Sequence, residues 1–417
     1  MSPGKMPLVL ILGALISSIT CESQSIKWDE PHHPWRRTPR SQDVKVDHEV
    51  FAQKLVKTLI VENPNENVIF SPMSISTSLA MMSEGTSSWT LVNLLQVLGF
   101  HLSEHEARDV HHSFMVFIQR LHQLEREAIL RHKDFLFINH HRRIHQKFLE
   151  EIWKIYKVEV QMINFRDKET AKKEIDHTVA QKAQDRHCEL ITMLDPETFL
   201  LLVNYISMKG IWQVAFDSRL THQETFFVNE HQKVQVDMMR KTEQMLYSRW
   251  DDLHATVVEL TYTEDLAVVL VLPDDGHFHS VLRKMDLRTD RTRYAKDMRM
   301  VELILPKFNI FSKIDLKKVL PKLGIRDMVT TEANFSGITE EVFPAIIEAM
   351  HQARMEVNEK GMRMATDCAM DMAEDRLLHQ SAEPLRLKFN KPFLMFVVDN
   401  KTQTELVVAR VVNPRAE

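Results

Sequence analysis

An α+β fold in one continuous body is what this sequence predicts. Helical periodicity dominates its first half, and apolar, strand-like runs dominate its second without the regular alternation that marks a parallel doubly wound sheet. No Pro/Gly-rich linker interrupts the chain between about residues 44 and 359, and only 9 glycines occur in 417 residues, which favours one body over the two or three domains that length alone would allow. No internal repeat is evident. With 44% hydrophobic and 27% charged residues the chain can bury a large core, so wholesale disorder is excluded.

Residues 1–21 read as a secretory leader: Lys5, an apolar run from Pro7 to Ile16, then Ser17, Ser18 and Thr20 before a cut near Cys21 or Glu22. The run is short of the roughly 20 residues a membrane helix needs, so an extracellular protein without a membrane span is expected. Residues 22–43 carry Pro31, Pro34, Pro39 and Arg36, Arg37, Arg40 with little apolar periodicity, which predicts a mobile tail. Its Trp35-Arg36-Arg37 is either plain linker or a contact for an acidic partner.

From Val50, Phe51, Leu55 and Leu59 share one helical face, with Asp47 as the expected N-cap. An apolar strand then ends at Ser71, and Pro72 opens a helix that stops at Gly85, the first turn needing no amide donor. Further helices are expected over 105–125, 144–156 and 168–184, and strands over 135–138, 199–206, 266–272, 301–305, 393–398 and 406–411. Cys188 and Cys368 form no spaced pair, so neither a disulfide framework nor a zinc site follows. The net charge of −5 counts 21 His as neutral, so the protein turns cationic as pH falls through about 6.5. Asn334-Phe335-Ser336 and Asn400-Lys401-Thr402 are N-glycan acceptor patterns and predict exposed turns.

Several segments, in order and spacing, resemble the serpin family from about residue 47 to the end. They are the run Asn67 to Ser76, Leu202 to Trp212, Val271 to Gly276, Leu305-Pro-Lys-Phe, Ala333 to Thr339, Phe389 to Phe393 and Val411-Val-Asn-Pro. The resemblance implies about three β-sheets, eight to nine helices and an exposed reactive-centre loop within a single domain, 44–417, with hinge and loop at 359–387. It also implies a polar shutter made of Ser71, Ser74, Asn204 and His351, where hydrogen bonds hold two strands that must part. A buried polar network of this kind has to be satisfied, because an orphaned group costs a few kcal/mol. Val234 to Arg249 and the leader are similar to the uterine serpins in particular, which implies a secretory protein of the pregnant uterus with carrier, protein-binding or immune-modulating roles.

Inhibitory serpins insert the hinge as a new strand after cleavage, and use a small hydroxyl residue followed by alanines to do so. Here Glu359-Lys360-Gly361 fits the start of the hinge, but Met362, Arg363 and Met364 follow. Strand alternation places Met362, Met364 and Thr366 on one face and Arg363, Asp367 and Asp371 on the other. The loop is about six residues longer than in antitrypsin-like relatives, so the bait bond is ambiguous: counting from the hinge gives Asp375-Arg376, and counting back from Phe389 gives Ser381. Cleavage as a substrate after Arg376 is expected.

The leading reading is therefore a non-inhibitory serpin that binds secreted or cell-surface proteins as a monomer. The alternative is a serpin-type inhibitor with an atypical target such as an acid protease. Enzyme motifs are lacking, neither a cofactor nor nucleic acid is implied, and no metal site is expected although vicinal His invite one. Arg131, Lys133, His140, His141, Arg142, Arg143 and Lys147 are either a solvated face or a patch for acidic glycans that strengthens at mildly acid pH.

Overall fold

The computed structural model describes residues 41–62, 64–100, 107–127, 129–184, 194–209, 212–261, 265–286, 297–330, 332–341, 346–360, 383–402 and 404–416. The expected leader, tail residues 22–40, all three cysteines, Gly361, Met362, Arg363, Met364, Asp375, Arg376 and Ser381 lie outside these residues.

Eight α-helices occur among the described residues: α1 Ser41–Val61, α2 Pro72–Ser83, α3 Ser88–Val97, α4 Ala107–Arg126, α5 Gln146–Tyr156, α6 Lys168–Ala183, α7 Phe278–Lys284 and α8 Leu316–Leu323. Six of them precede residue 184; five match the expected helices, and α3 Ser88–Val97 is one that the periodicity does not pick out. One boundary is corrected. The chain is already helical at Ser41, inside the expected tail and ahead of Asp47. Asp47 therefore sits within the helix, where no orphan amide needs it, rather than at an N-cap with extended backbone. By contrast Ser71 does cap α2, its hydroxyl accepting from the Ser74 N–H, with Pro72 in the first turn.

The strands are β1 Val68–Phe70, β2 Leu130–Asn139, β3 Val160–Ile163, β4 Thr198–Lys209, β5 His222–Phe227, β6 Lys233–Trp250, β7 Ala255–Thr261, β8 Leu266–Pro273, β9 Asp297–Pro306, β10 Phe308–Asp315, β11 Ile346–Val357, β12 Leu385–Lys388, β13 Phe393–Asp399 and β14 Thr404–Val411. They form a five-stranded sheet in the order β10-β11-β4-β2-β3 and a nine-stranded one in the order β1-β14-β13-β8-β7-β6-β9-β12, with β5 paired to β6. The 18-residue β6 pairs with β5, β7 and β9 along its length and so makes one sheet of what would otherwise be two.

The five-stranded sheet is buried on both faces, and strand alternation divides its side chains between two clusters. Phe135, Phe137, Leu201, Val203 and Tyr205 pack beneath α6 on Ile175 and Val179. Leu136, Ile138, Leu200, Leu202 and Ile206 join the large core that holds the buried helix α2. Asn204 follows the second set and faces the start of α2. Gly337 is required by close approach: an added Cβ would lie 2.9 Å from the Glu84 carbonyl oxygen and the Gly85 carbonyl carbon, so the 334–338 turn is clamped onto the end of α2.

Candidate functional site

β11 and β4 run parallel and pair directly from Ile347–Leu200 to Glu356–Lys209. In the middle of that pair a polar row crosses three strands, because Asp134 on β2 and His351 on β11 both stand opposite Asn204 on β4. The Ser71 N–H donates to His351 Nε2 at 3.1 Å, so the other ring nitrogen carries the proton and donates to Asn204 Oδ1 at 2.5 Å. Asn204 Nδ2 lies 2.6 Å from both Ser74 Oγ and Asp134 Oδ1. Ser78 also donates to Asp134, and His132 Nε2 is 3.5 Å from the other carboxylate oxygen. Ser71, Ser74, Asn204 and His351 are all fully buried, and burial lowers the His351 pKa to about 3. The imidazole is therefore neutral at physiological pH. Asp134, Ser78 and His132 were not foreseen in this network: the register that brings them to Asn204 depends on how β2 pairs, which residue spacing does not reveal.

At the upper end of the same strands the chain leaves β11 toward the hinge. Trp212 N–H donates to the Lys360 carbonyl, its indole N–H to the Asn358 carbonyl, and Phe216 N–H to the Glu359 carbonyl. The Glu359 carboxylate accepts from Thr221 at 3.0 Å and pairs with Lys307 at 3.1 Å. Burial opposes its charge, but these partners outweigh it and hold its pKa below the usual carboxylate range. Below lies Lys241, 8% exposed, with its ammonium 2.7 Å from Glu243 and over the rings of Phe216 and Trp212 at 4.8 and 5.4 Å. Desolvation lowers its pKa. Neither Lys241 nor Lys307 was singled out from sequence, since in β6 and after β9 they read as ordinary exposed charges.

The expected basic patch is not one surface. Arg131 and Lys133 lie near one end of β2 and His140 to Lys147 beyond the other, about 20 to 30 Å away at the usual rise per residue. Much of the charge is also matched: Lys133 with Glu125 at 2.8 Å, Arg142 with Glu341 at 2.9 Å, while Arg131 donates to the Ala183 and Gln184 carbonyls. Arg143 and Lys147 are exposed, and the His140 and His141 ring centroids lie 3.8 Å apart with the rings tilted by 41°. The neighbouring His140, then burial, Arg166 and Arg142 push the His141 pKa down, so it gains a proton only at lower pH than a free imidazole. A cavity of about 380 Å³ opens where the end of α6 meets the sheet, lined by Arg131, Gln184, Tyr205, Lys209, Arg354 and Glu356 among others.

Of the two glycan acceptor residues, Asn400 is exposed in the turn between β13 and β14. Asn334 is half-buried beside the start of α3.

A parallel pair held shut by a buried polar row, below a hinge anchored on a tryptophan, defines a class. The chain belongs to the serpin family: the family model described as serine protease inhibitor matches residues 47–414. It is similar to uteroferrin-associated basic protein 2 of Sus scrofa, 42% identical with both chains fully covered, and to uterine milk protein of Ovis aries, 40% identical over 99% of this chain and 98% of that one. Among solved structures, human thyroxine-binding globulin complexed with thyroxine superposes with a TM-score of 0.81 at 29% identity, over 90% of this chain and all of that one. No helix among the described residues is long and apolar enough to cross a membrane.

Proposed function

We propose that this serpin is a secreted binding or carrier protein of the pregnant uterus that does not trap proteases. The observation that carries this reading is the hinge sequence: Gly361 is followed by Met362, Arg363 and Met364 in place of a small hydroxyl residue and alanines. To trap a protease, that segment would have to part β11 from β4, break the His351–Asn204 bond and enter faster than the acyl-enzyme is hydrolysed. Arg363, Asp367 and Asp371 would then share one face of the new strand, and each charge would lose solvent on entry, which is costly without a partner. Insertion is therefore unfavourable, and a protease leaves with the loop cut.

The likeness to uterine milk protein and uteroferrin-associated basic protein supports a uterine setting, and the thyroxine-bound neighbour supports a carrier role for the same scaffold. Secreted or cell-surface proteins are the partners, engaged as a monomer. Exposed Arg143 and Lys147, with His140 and His141, favour acidic glycans as secondary contacts, so retention on heparin should weaken with salt and strengthen as pH falls. Incubation with trypsin tests the central point: a cut chain with no complex surviving SDS is expected, and a stable complex would overturn the reading.

A further inference from the structure

Trp89, at 65% exposure, is the most exposed large apolar side chain among the described residues, and the fold leaves its indole in water. In sequence it lies between the two residues to which the Asn334 turn is bound. Ser87 N–H donates to the Asn334 carbonyl at 3.1 Å, and the Asn334 N–H donates to the buried Thr90 hydroxyl at 3.0 Å. The same turn is clamped from behind by Gly337 against Glu84 and Gly85. Asn334 Oδ1 accepts from the Ser336 N–H at 3.0 Å, while its Nδ2 has no hydrogen-bond partner among the described residues.

We propose that Asn334 carries an N-linked glycan whose first N-acetylglucosamine lies across the exposed indole of Trp89. In the covalent step Asn334 Nδ2 forms a bond to C1 of the sugar of a lipid pyrophosphate-linked oligosaccharide. The C1–O bond breaks, the lipid pyrophosphate leaves with the electron pair, and the amide proton passes to a base of the transferase. Transfer precedes folding, so the half-burial of Asn334 in the finished protein does not block it. A pyranose presents a face of C–H groups that fits an aromatic surface, and covering the indole removes apolar area from water. This rests on the secreted location argued above but not on the absence of protease trapping.

The test uses the full chain secreted from mammalian cells, with peptide mass mapping to establish occupancy at Asn334 and Asn400 separately. Trp89→Ala is then made in the wild type and in Ser336→Ala, which removes the acceptor pattern but keeps Asn334. Asn334 is expected to be occupied, and Trp89→Ala to lower the folding equilibrium constant about threefold more in the glycosylated protein than in the Ser336→Ala background. Acrylamide quenching of tryptophan emission should also be greater in Ser336→Ala than in the wild type. An unmodified Asn334 overturns the proposal outright. An occupied Asn334 with equal effects of Trp89→Ala in the two backgrounds and unchanged quenching removes the stacking. A secreted, unmodified protein would leave the secreted reading standing, whereas a chain retained in the cytosol would remove both.

Discussion

His351 on β11 and Asn204 on β4 stand directly opposite one another and share a 2.5 Å hydrogen bond across the strand pair that a serpin must open. Asn204 also serves Ser74 and Asp134, so one amide ties α2, β2, β4 and β11 together. Replacing it by Ala leaves the His351 Nδ1–H and the Asp134 carboxylate short of partners in a buried site. Asn204→Ala should lower stability by about 3 kcal/mol, measured by urea unfolding. A loss under about 1 kcal/mol would mean that water replaces the amide without penalty.

Buried imidazoles make the fold acid-sensitive. Burial lowers the pKa to about 3 for His351 and about 4 for His111, against about 6.5 in the unfolded chain. Below pH 6.5 the unfolded state takes up protons that the folded state refuses, so the stabilisation is complete above 6.5 and is lost as pH falls toward 4 and then 3. At pH 5 each residue removes about 2 kcal/mol. Urea midpoints measured from pH 7.5 to 5 should fall steeply, and His351→Gln should flatten that slope whatever its effect at pH 7.5.

Glu359 and Lys307 anchor the start of the hinge through a pair that is part-exposed on both sides. Glu359→Gln keeps an acceptor for Thr221 but removes the charge. The expected cost is about 1 kcal/mol at low salt, shrinking toward zero at 1 M salt. An effect independent of salt would assign Glu359 to packing rather than charge.

Gly337 has no room for a side chain because its neighbours there are backbone atoms. Gly337→Ala should destabilise by about 2 kcal/mol, the scale of an overpacked core position, and lower the thermal midpoint. Gly85→Ala meets Cγ1 of the fully buried, β-branched Ile338 at 2.4 Å and Phe148 at 3.0 Å, so it should destabilise as well.

How much the residues disclose follows burial. Strands buried on both faces, such as β8 and β13, are nearly continuous apolar runs and are legible. β11 is not: Glu348, His351, Gln352, Arg354 and Glu356 hide its period, although it carries half of the strand pair on which function turns. Only the serpin resemblance placed His351 on a strand next to Asn204. β6 is masked in the same way by ion pairs on both of its faces, with Arg240 against Glu224 and Glu302 and Lys241 against Glu243. For the basic residues from Arg131 to Lys147, nearness in sequence does not give nearness in space, because the length of β2 sets Arg131 and Lys133 apart from His140 to Lys147.

The central claim, that the loop does not enter the sheet, is tested most directly by the thermal unfolding midpoint before and after a trace of trypsin cuts the loop after Arg376. With Met362 and Arg363 in the hinge, β11 and β4 stay paired and the midpoint should not change. A large rise on cleavage would mean that the segment inserts as a strand between them, and would contradict the claim that Met362 and Arg363 bar it from the sheet.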